Sequence, residues 1–295
     1  MLDETSGSTV PRRQLGRLFT ELRENAQVTL DEAARALDCS RQKIWRIEKG
    51  LVPVRLVDAR AMCDLYRVPT EMAAIVAGLA KETRAKGWWH SYGDVVPSWF
   101  SLYVGLESSA TLLRQYDAEL IPGLLQTRAY ASELFRRKNP TMTPEEREKL
   151  VAVRLQRQSI LVRRLPVAPT LKVVLSEAVL RRTIPDRQAM VEQLRHLIEV
   201  AALPNVSVRV LPLAAGPPLA SETGTFVVLG FPQGLGRAST EPTTVYLENI
   251  TGALYLDRPA EVAAFAHVWN DLETLASDEA ESEKMINMII EEHHD

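Results

Sequence analysis

The stretch SRQKIWRIEKG, Ser40 to Gly50, gathers four cations, one anion, a tryptophan and two isoleucines into about three helical turns. At about 100° per residue, Ile44 and Ile47 fall on one stripe. Arg41, Gln42, Trp45, Arg46 and Lys49 share the opposite face, and Glu48 falls beside Ile44, where a carboxylate needs a partner. Those outward side chains are of the types that major-groove reading requires. Arginine can take O6 and N7 of guanine together, and glutamine N6 and N7 of adenine, each pair discriminating by about 1–3 kcal/mol. Cations without a base partner hold phosphates, which position a helix but carry little sequence information. A solvated face is the other reading of such a charge run, and the surrounding elements weigh against it.

Those elements read as short, well-capped helices. Leu15, Leu18, Phe19 and Leu22 recur at helical spacing, predicting an amphipathic helix from Arg12 to about Asn25. Thr29 followed three residues on by Glu32 has the spacing of a capping box, with Leu30, Ala33, Ala34 and Leu37 as the apolar positions behind it. Asp38 and Cys39 make a short break before Ser40, a good N-cap, and Gly50 suits the C-terminal end. After Pro53, Leu56–Tyr66 and Thr70–Ala80 add two more helices. Residues 11–80 are therefore expected to form a compact five-helix domain behind a loose tail at 1–10.

The 295-residue chain has a net charge of −3, which argues against a uniformly basic coat. From Pro11 to Pro69, however, 12 Lys/Arg stand against 8 Asp/Glu, while Lys81 to Asp295 holds 23 against 27. A polyanion would be met by the N-terminal part. Cys39 and Cys63 show no CxxC spacing and read as small hydrophobes rather than a disulfide or zinc pair. The first 20 residues lack an apolar core and no apolar run approaches 18 residues, so no membrane association and a cytoplasmic setting are expected.

Residues 81–106 read as an aromatic-rich linker. WWHSYGDVVPSWFSLY, Trp88 to Tyr103, holds six of the 18 aromatic residues. Its bland reading is a hinge plugging a hydrophobic seam; a ligand pocket lined by Trp88, Trp89, His90, Tyr92 and Trp99 is the sharper one. Residues 107–295 read as α+β. Helices are expected at Glu107–Glu119, Leu124–Arg137, from Thr143 to about Arg164, and at Arg187–Leu203, Pro259–Ala276 and Glu279–Glu291. Strands are expected at Thr170–Leu175, Val206–Pro212, Thr225–Phe231, Thr243–Asn249 and Ala253–Asp257. No nucleophile elbow, HExxH, Walker loop or nucleophile–base pairing appears, so no enzyme, cofactor or metal is expected. GFPQGLGRAS, near Gly230, lies between strands and reads as a turn. The five histidines share no ligand spacing.

The run LRENAQVTLDEAARALDCSRQKIWRIEKG resembles the helix-turn-helix of Xre-type, lambda-repressor-like regulators, over residues 14 to 70. The resemblance implies that Arg41, Gln42 and Arg46 are base-reading, with Trp45 at a further surface position, either wedged into the groove or packed on a neighbour. It implies phosphate contacts near Thr29, Ser40, Lys43 and Lys49, and a partly buried ion pair between Arg23 and Glu48. Two positions depart from the pattern. Asp38 stands where the turn usually holds glycine, and Leu30 replaces a residue that is often polar.

The segments LRQYDAELIPGLLQTRAYA, RLQRQSIL and LSEAVLRR are similar to the C-terminal domain of actinobacterial antitoxin-like regulators, so called because a small toxin-like protein is often encoded beside them. Arg114, Tyr116, Glu119, Gln126, Arg128 and Tyr130 around IPGLLQT read either as a brace of hydrogen bonds or as a ligand or partner site. Together the two resemblances imply a multidomain transcription regulator. It would bind a double-stranded operator as a homodimer, with a small molecule or a toxin-like protein as effector. The alternative is an antitoxin that sequesters such a protein and autoregulates its operon.

Overall fold

The computed structural model describes residues 10–82, 98–231, 241–250 and 252–294. They fall into two compact units, one of residues 10–82, 98–109, 231 and 241–242, the other of residues 110–230, 243–250 and 252–294.

The first unit is all-α: α1 (Val10–Asn25), α2 (Leu30–Ala36), α3 (Arg41–Glu48), α4 (Leu56–Leu65), α5 (Thr70–Glu82) and α6 (Ser98–Ser109). Its core joins Leu15 and Phe19 of α1 to Ala33, Ile44, Ile47, Met62 and Val76. Cys63 lies in that core, where burial pushes its thiol up to about 11. Gly16 brings α1 against the end of α3, since a Cβ there would lie 2.5 Å from the carbonyl oxygen of Glu48. Helix α6 begins inside the stretch expected as a linker and contains Trp99; Trp88, Trp89, His90 and Tyr92 lie outside the described residues. Glu241, almost fully buried, ion-pairs with Arg17 and lies 3.4 Å from Arg13, both on α1.

The second unit is α+β, built on a six-stranded mixed sheet in the order β3-β2-β1-β4-β5-β6. Strands β1 (Leu112–Asp117), β2 (Thr170–Ser176) and β3 (Val206–Leu211) run parallel. β4 (Phe226–Gly230) is antiparallel to β1, and β5 (Thr244–Asn249) and β6 (Gly252–Leu256) continue the sheet in antiparallel fashion. Around it lie α7 (Arg128–Lys138), α8 (Pro144–Gln158), α9 (Glu177–Arg181), α10 (Arg187–Ala201), α11 (Pro259–Leu275) and α12 (Glu279–His294). Tyr116, Val174, Phe226 and Val245 pack with Trp269 and Leu272 of α11 in one core cluster.

The helix expected at Glu107–Glu119 is instead the end of α6 followed by β1. Leu112, Leu113 and Tyr116 have helix-like spacing, and with Arg114, Gln115 and Asp117 among them this central strand shows neither a polar–apolar alternation nor the apolar run usual of a buried strand. Helix α8 keeps its Thr143–Glu146 capping box and Pro144 start, yet ends at Gln158 in a 3-10 turn rather than reaching Arg164. The helix expected from Leu124 begins at Arg128, because the Thr127 hydroxyl caps the Tyr130 N–H.

Candidate nucleic-acid interface

The α2–α3 pair is set by its caps. The Thr29 hydroxyl accepts from the Glu32 N–H at 3.2 Å, and the Glu32 carboxylate accepts from the Thr29 N–H at 2.8 Å. Two of the free backbone donors at that end are thus met by side chains, each residue capping the other. The turn between the helices passes through Asp38 at φ 47°, a left-handed value aspartate adopts more readily than most residues. Ser40 then caps α3 by accepting from the Lys43 N–H at 3.2 Å. At the far end Gly50, at φ 65°, turns the chain away.

On α3, Ile44 and Ile47 are buried, whereas Arg41, Gln42, Trp45, Arg46 and the C-cap Lys49 are exposed. Trp45 stands 43% exposed, an apolar ring in the middle of a polar row. Glu48 is turned inward. It accepts from Arg23 Nε at 2.7 Å, Arg23 Nη2 at 3.0 Å and Thr20 Oγ1 at 3.3 Å. Arg23 also donates Nη1 to the Val28 carbonyl at 3.0 Å, so one guanidinium links α1, the turn before α2 and α3. The hydrogen bond to Glu48 raises the Arg23 pKa above its ordinary value. Tyr66 feels the same pair: burial first, then the Glu48 charge, pushes its phenol up.

The residues expected at phosphates differ in their surroundings. Thr29 and Ser40 spend their hydroxyls as caps. Lys43 Nζ lies 3.3 Å from Asp58 Oδ2, and Lys49 is exposed at the C-cap. Arg41 lies 3.6 Å from Asp31, both well exposed. Sequence reasoning passed over Asp58 and Arg55, although they stand three apart across the start of α4, a spacing that favours an ion pair.

Among the described residues, the C-terminal candidates divide between strand β1 and the turn from Ile121 to Thr127. Tyr116 packs on Phe226 among the residues that meet α11. Arg114, two positions earlier on β1, shares that face, with the charge of Glu273 nearby. Asp117 alternates to the other face, near Arg154 of α8. Gln126 and Tyr130, both buried, brace the turn from Ile121 to Thr127. Gln126 Nε2 donates to the Ile121 carbonyl at 2.6 Å, and the Tyr130 hydroxyl accepts from the Ile121 N–H at 3.4 Å. Arg154 donates to Gln126 Oε1 at 2.9 Å. Gln158 donates to the Gln126 carbonyl at 2.6 Å. Gln193, fully buried on α10, accepts from the Thr127 N–H and donates to the Leu125 carbonyl, both at 2.7 Å. Arg128 is exposed and ion-pairs with Glu148. Around IPGLLQT, Gln126, Tyr130, Gln158 and Gln193 are engaged as a brace. Gln193 was missed, although a glutamine among Ala189, Met190, Leu194 and Leu197 is a legible anomaly on an apolar face.

Among the described residues no group of three or more His, Cys, Asp or Glu is placed to hold a metal ion, and no helix is long and apolar enough to cross a membrane. The helix-turn-helix domain family matches residues 14–75. The family described as a domain of unknown function, DUF5753, matches residues 100–288. No curated protein matches the chain.

Proposed function

Because the chain belongs to the DUF5753 family and carries a helix-turn-helix domain ahead of that region, we propose that it is a non-enzymatic, sequence-specific transcription regulator of the Xre type. The observation that carries this reading is the division of α3: Ile44 and Ile47 buried, Glu48 tied to Arg23, and Arg41, Gln42, Trp45 and Arg46 exposed together. In this reading Arg41, Gln42 and Arg46 meet base edges and Trp45 lies over the groove. Lys43, Lys49 and the α2 and α3 starts at Thr29 and Ser40 meet phosphates, where helix N-termini favour anions. Two copies would set their recognition helices about 34–36 Å apart on a pseudo-palindromic operator.

The layout we propose is a tail at 1–10, a DNA-binding domain at 11–80, a connecting segment at 81–106 and a regulatory domain at 107–295. The last would dimerise and sense a small molecule or a small protein, in the manner of actinobacterial antitoxin-like regulators. Work on DNA sets its place in the cytoplasm. The full-length protein, incubated with fragmented genomic DNA at two salt concentrations, should retain a few fragments sharing a motif at the higher one. Uniform retention that collapses with salt would reduce the interface to a phosphate binder. An antitoxin would in addition co-purify with the small protein encoded beside it, whereas a small-molecule sensor would show a thermal shift with a metabolite.

A further inference from the structure

We propose that Lys43, Arg55 and Asp58 form a phosphodiester-binding site flanking the recognition helix, in which Asp58 is a counter-charge that limits two cations to one net positive charge. The inference rests on the DNA-binding reading of α3. Arg55 is the residue before α4, and Asp58 is the third residue of that helix. Arg55 Nε donates to Asp58 Oδ2 and Arg55 Nη2 to Asp58 Oδ1, both at 3.0 Å, a two-point contact that fixes the guanidinium plane. Lys43 Nζ reaches Asp58 Oδ2 at 3.3 Å from α3. One carboxylate therefore registers a cation of the recognition helix against a cation of the following loop.

The exposures give the triad a direction. The Arg55 and Lys43 side chains are 64% and 41% exposed, and that of Asp58 is 20% exposed. The cations are accessible and the anion is sheltered beside them. A guanidinium carries five N–H donors, and two of its nitrogens serve Asp58, which leaves donors for a phosphate oxygen. Exposed ion pairs contribute little to stability, so the arrangement is poorly explained as a fold-holding device. Bonding from Arg55, and secondarily Lys43, holds the Asp58 carboxyl below its ordinary pKa, so it stays charged at neutral pH.

The consequence is electrostatic. Each phosphate neutralised adds about 0.9 to the dependence of log affinity on log salt. At about 0.1 M salt, one more unopposed cation strengthens binding to any sequence by about eight-fold. Asp58 withholds that increment, so the recognition helix grips arbitrary DNA less tightly while its base contacts are untouched.

The test uses the full-length chain, a duplex enriched by the wild type from a random pool, and a scrambled duplex of the same composition. Asp58→Asn should bind both about eight-fold more tightly near 0.1 M salt and steepen the salt slope by about 0.9, leaving the ratio between duplexes unchanged. Asp58→Glu, which keeps the charge, should retain the wild-type slope. Arg55→Gln, at an exposed position, should weaken both duplexes equally and flatten the slope by about 0.9, and it keeps the test open if Asp58→Asn misfolds. Unmoved slopes in folded Asp58→Asn and Arg55→Gln proteins, or weaker binding by Asp58→Asn, would overturn the site. Absence of any preference for the enriched duplex in the wild type would instead sink the DNA-reading function itself.

Discussion

Arg23 and Glu48 meet at two points, Nε on Oε1 at 2.7 Å and Nη2 on Oε2 at 3.0 Å, and this contact ties α1 to the end of α3. The side chains are only 12% and 5% exposed, so losing one partner strands the other away from full hydration. Glu48→Ala should destabilise the first unit by about 3 kcal/mol, lowering its melting temperature by several degrees and weakening DNA binding with it. An unchanged melt followed by circular dichroism would show that the pair carries no structural weight.

Gly16→Ala tests the closeness of the same two helices. In an exposed helix interior this exchange stabilises by about 1 kcal/mol. Here the added methyl would meet the carbonyl oxygens of Glu48 and Ile47 at 2.5 and 2.7 Å, and backbone atoms cannot swing aside. A net loss of about 1–3 kcal/mol is expected in denaturant unfolding. A gain in stability would mean that α1 and α3 part without cost.

Arg46→Ala separates base reading from charge. The variant should lose roughly 10- to 100-fold affinity for the enriched duplex and relax its preference at one base pair. Lys49→Ala should weaken all duplexes alike and flatten the salt slope by about 0.9. If Arg46→Ala behaves as Lys49→Ala does, Arg46 is a phosphate contact.

Asp117 makes the second unit sensitive to pH. Its carboxyl is buried, with Oδ2 lacking a hydrogen-bond partner among the described residues, and burial pushes its pKa up from 3.8 to about 7 against the opposing effects of Gln115 and Arg154. The folded state therefore holds a proton that the unfolded chain releases near pH 4. Stability from this group is full below that value and falls as pH rises towards 7. Asp117→Asn should leave thermal unfolding near pH 4 almost unmoved and stabilise the second unit by about 1–3 kcal/mol at pH 8. Equal effects at both pH values would refute the buried charge.

Much of the first unit is legible in sequence because its signals are local. Thr29 with Glu32, and Ser40 with the Lys43 N–H, act across three residues, and the Ile44–Ile47 stripe needs only the helical period. The same holds for Thr143, Pro144 and Glu146 at the start of α8. Strand β1 is hidden because Arg114, Gln115 and Asp117 interrupt its apolar residues, whose spacing suits a helix equally well. Helix α9, at five residues, is too short for periodicity to emerge. The brace around Gln126 was half visible: the residue types stood out, but Gln193 is 66 residues from Thr127, and nothing local announces the pairing. Asp58 was overlooked for a different reason. Its carboxylate looks like any acidic first turn until Lys43, 15 residues earlier, is seen to share it.

Glu241 gives these distant contacts a practical edge. The DNA-reading helices look portable, as though a fragment ending at residue 82 would carry the whole binding module. Yet the Glu241 carboxylate that ion-pairs with Arg17 and approaches Arg13 arrives from more than 220 residues downstream. Such a fragment would present Arg13 and Arg17 of α1 without that counter-charge. Its grip on DNA would be more cationic than the intact chain's, and affinities measured on it would overstate how strongly the full protein holds sequences it is not meant to read.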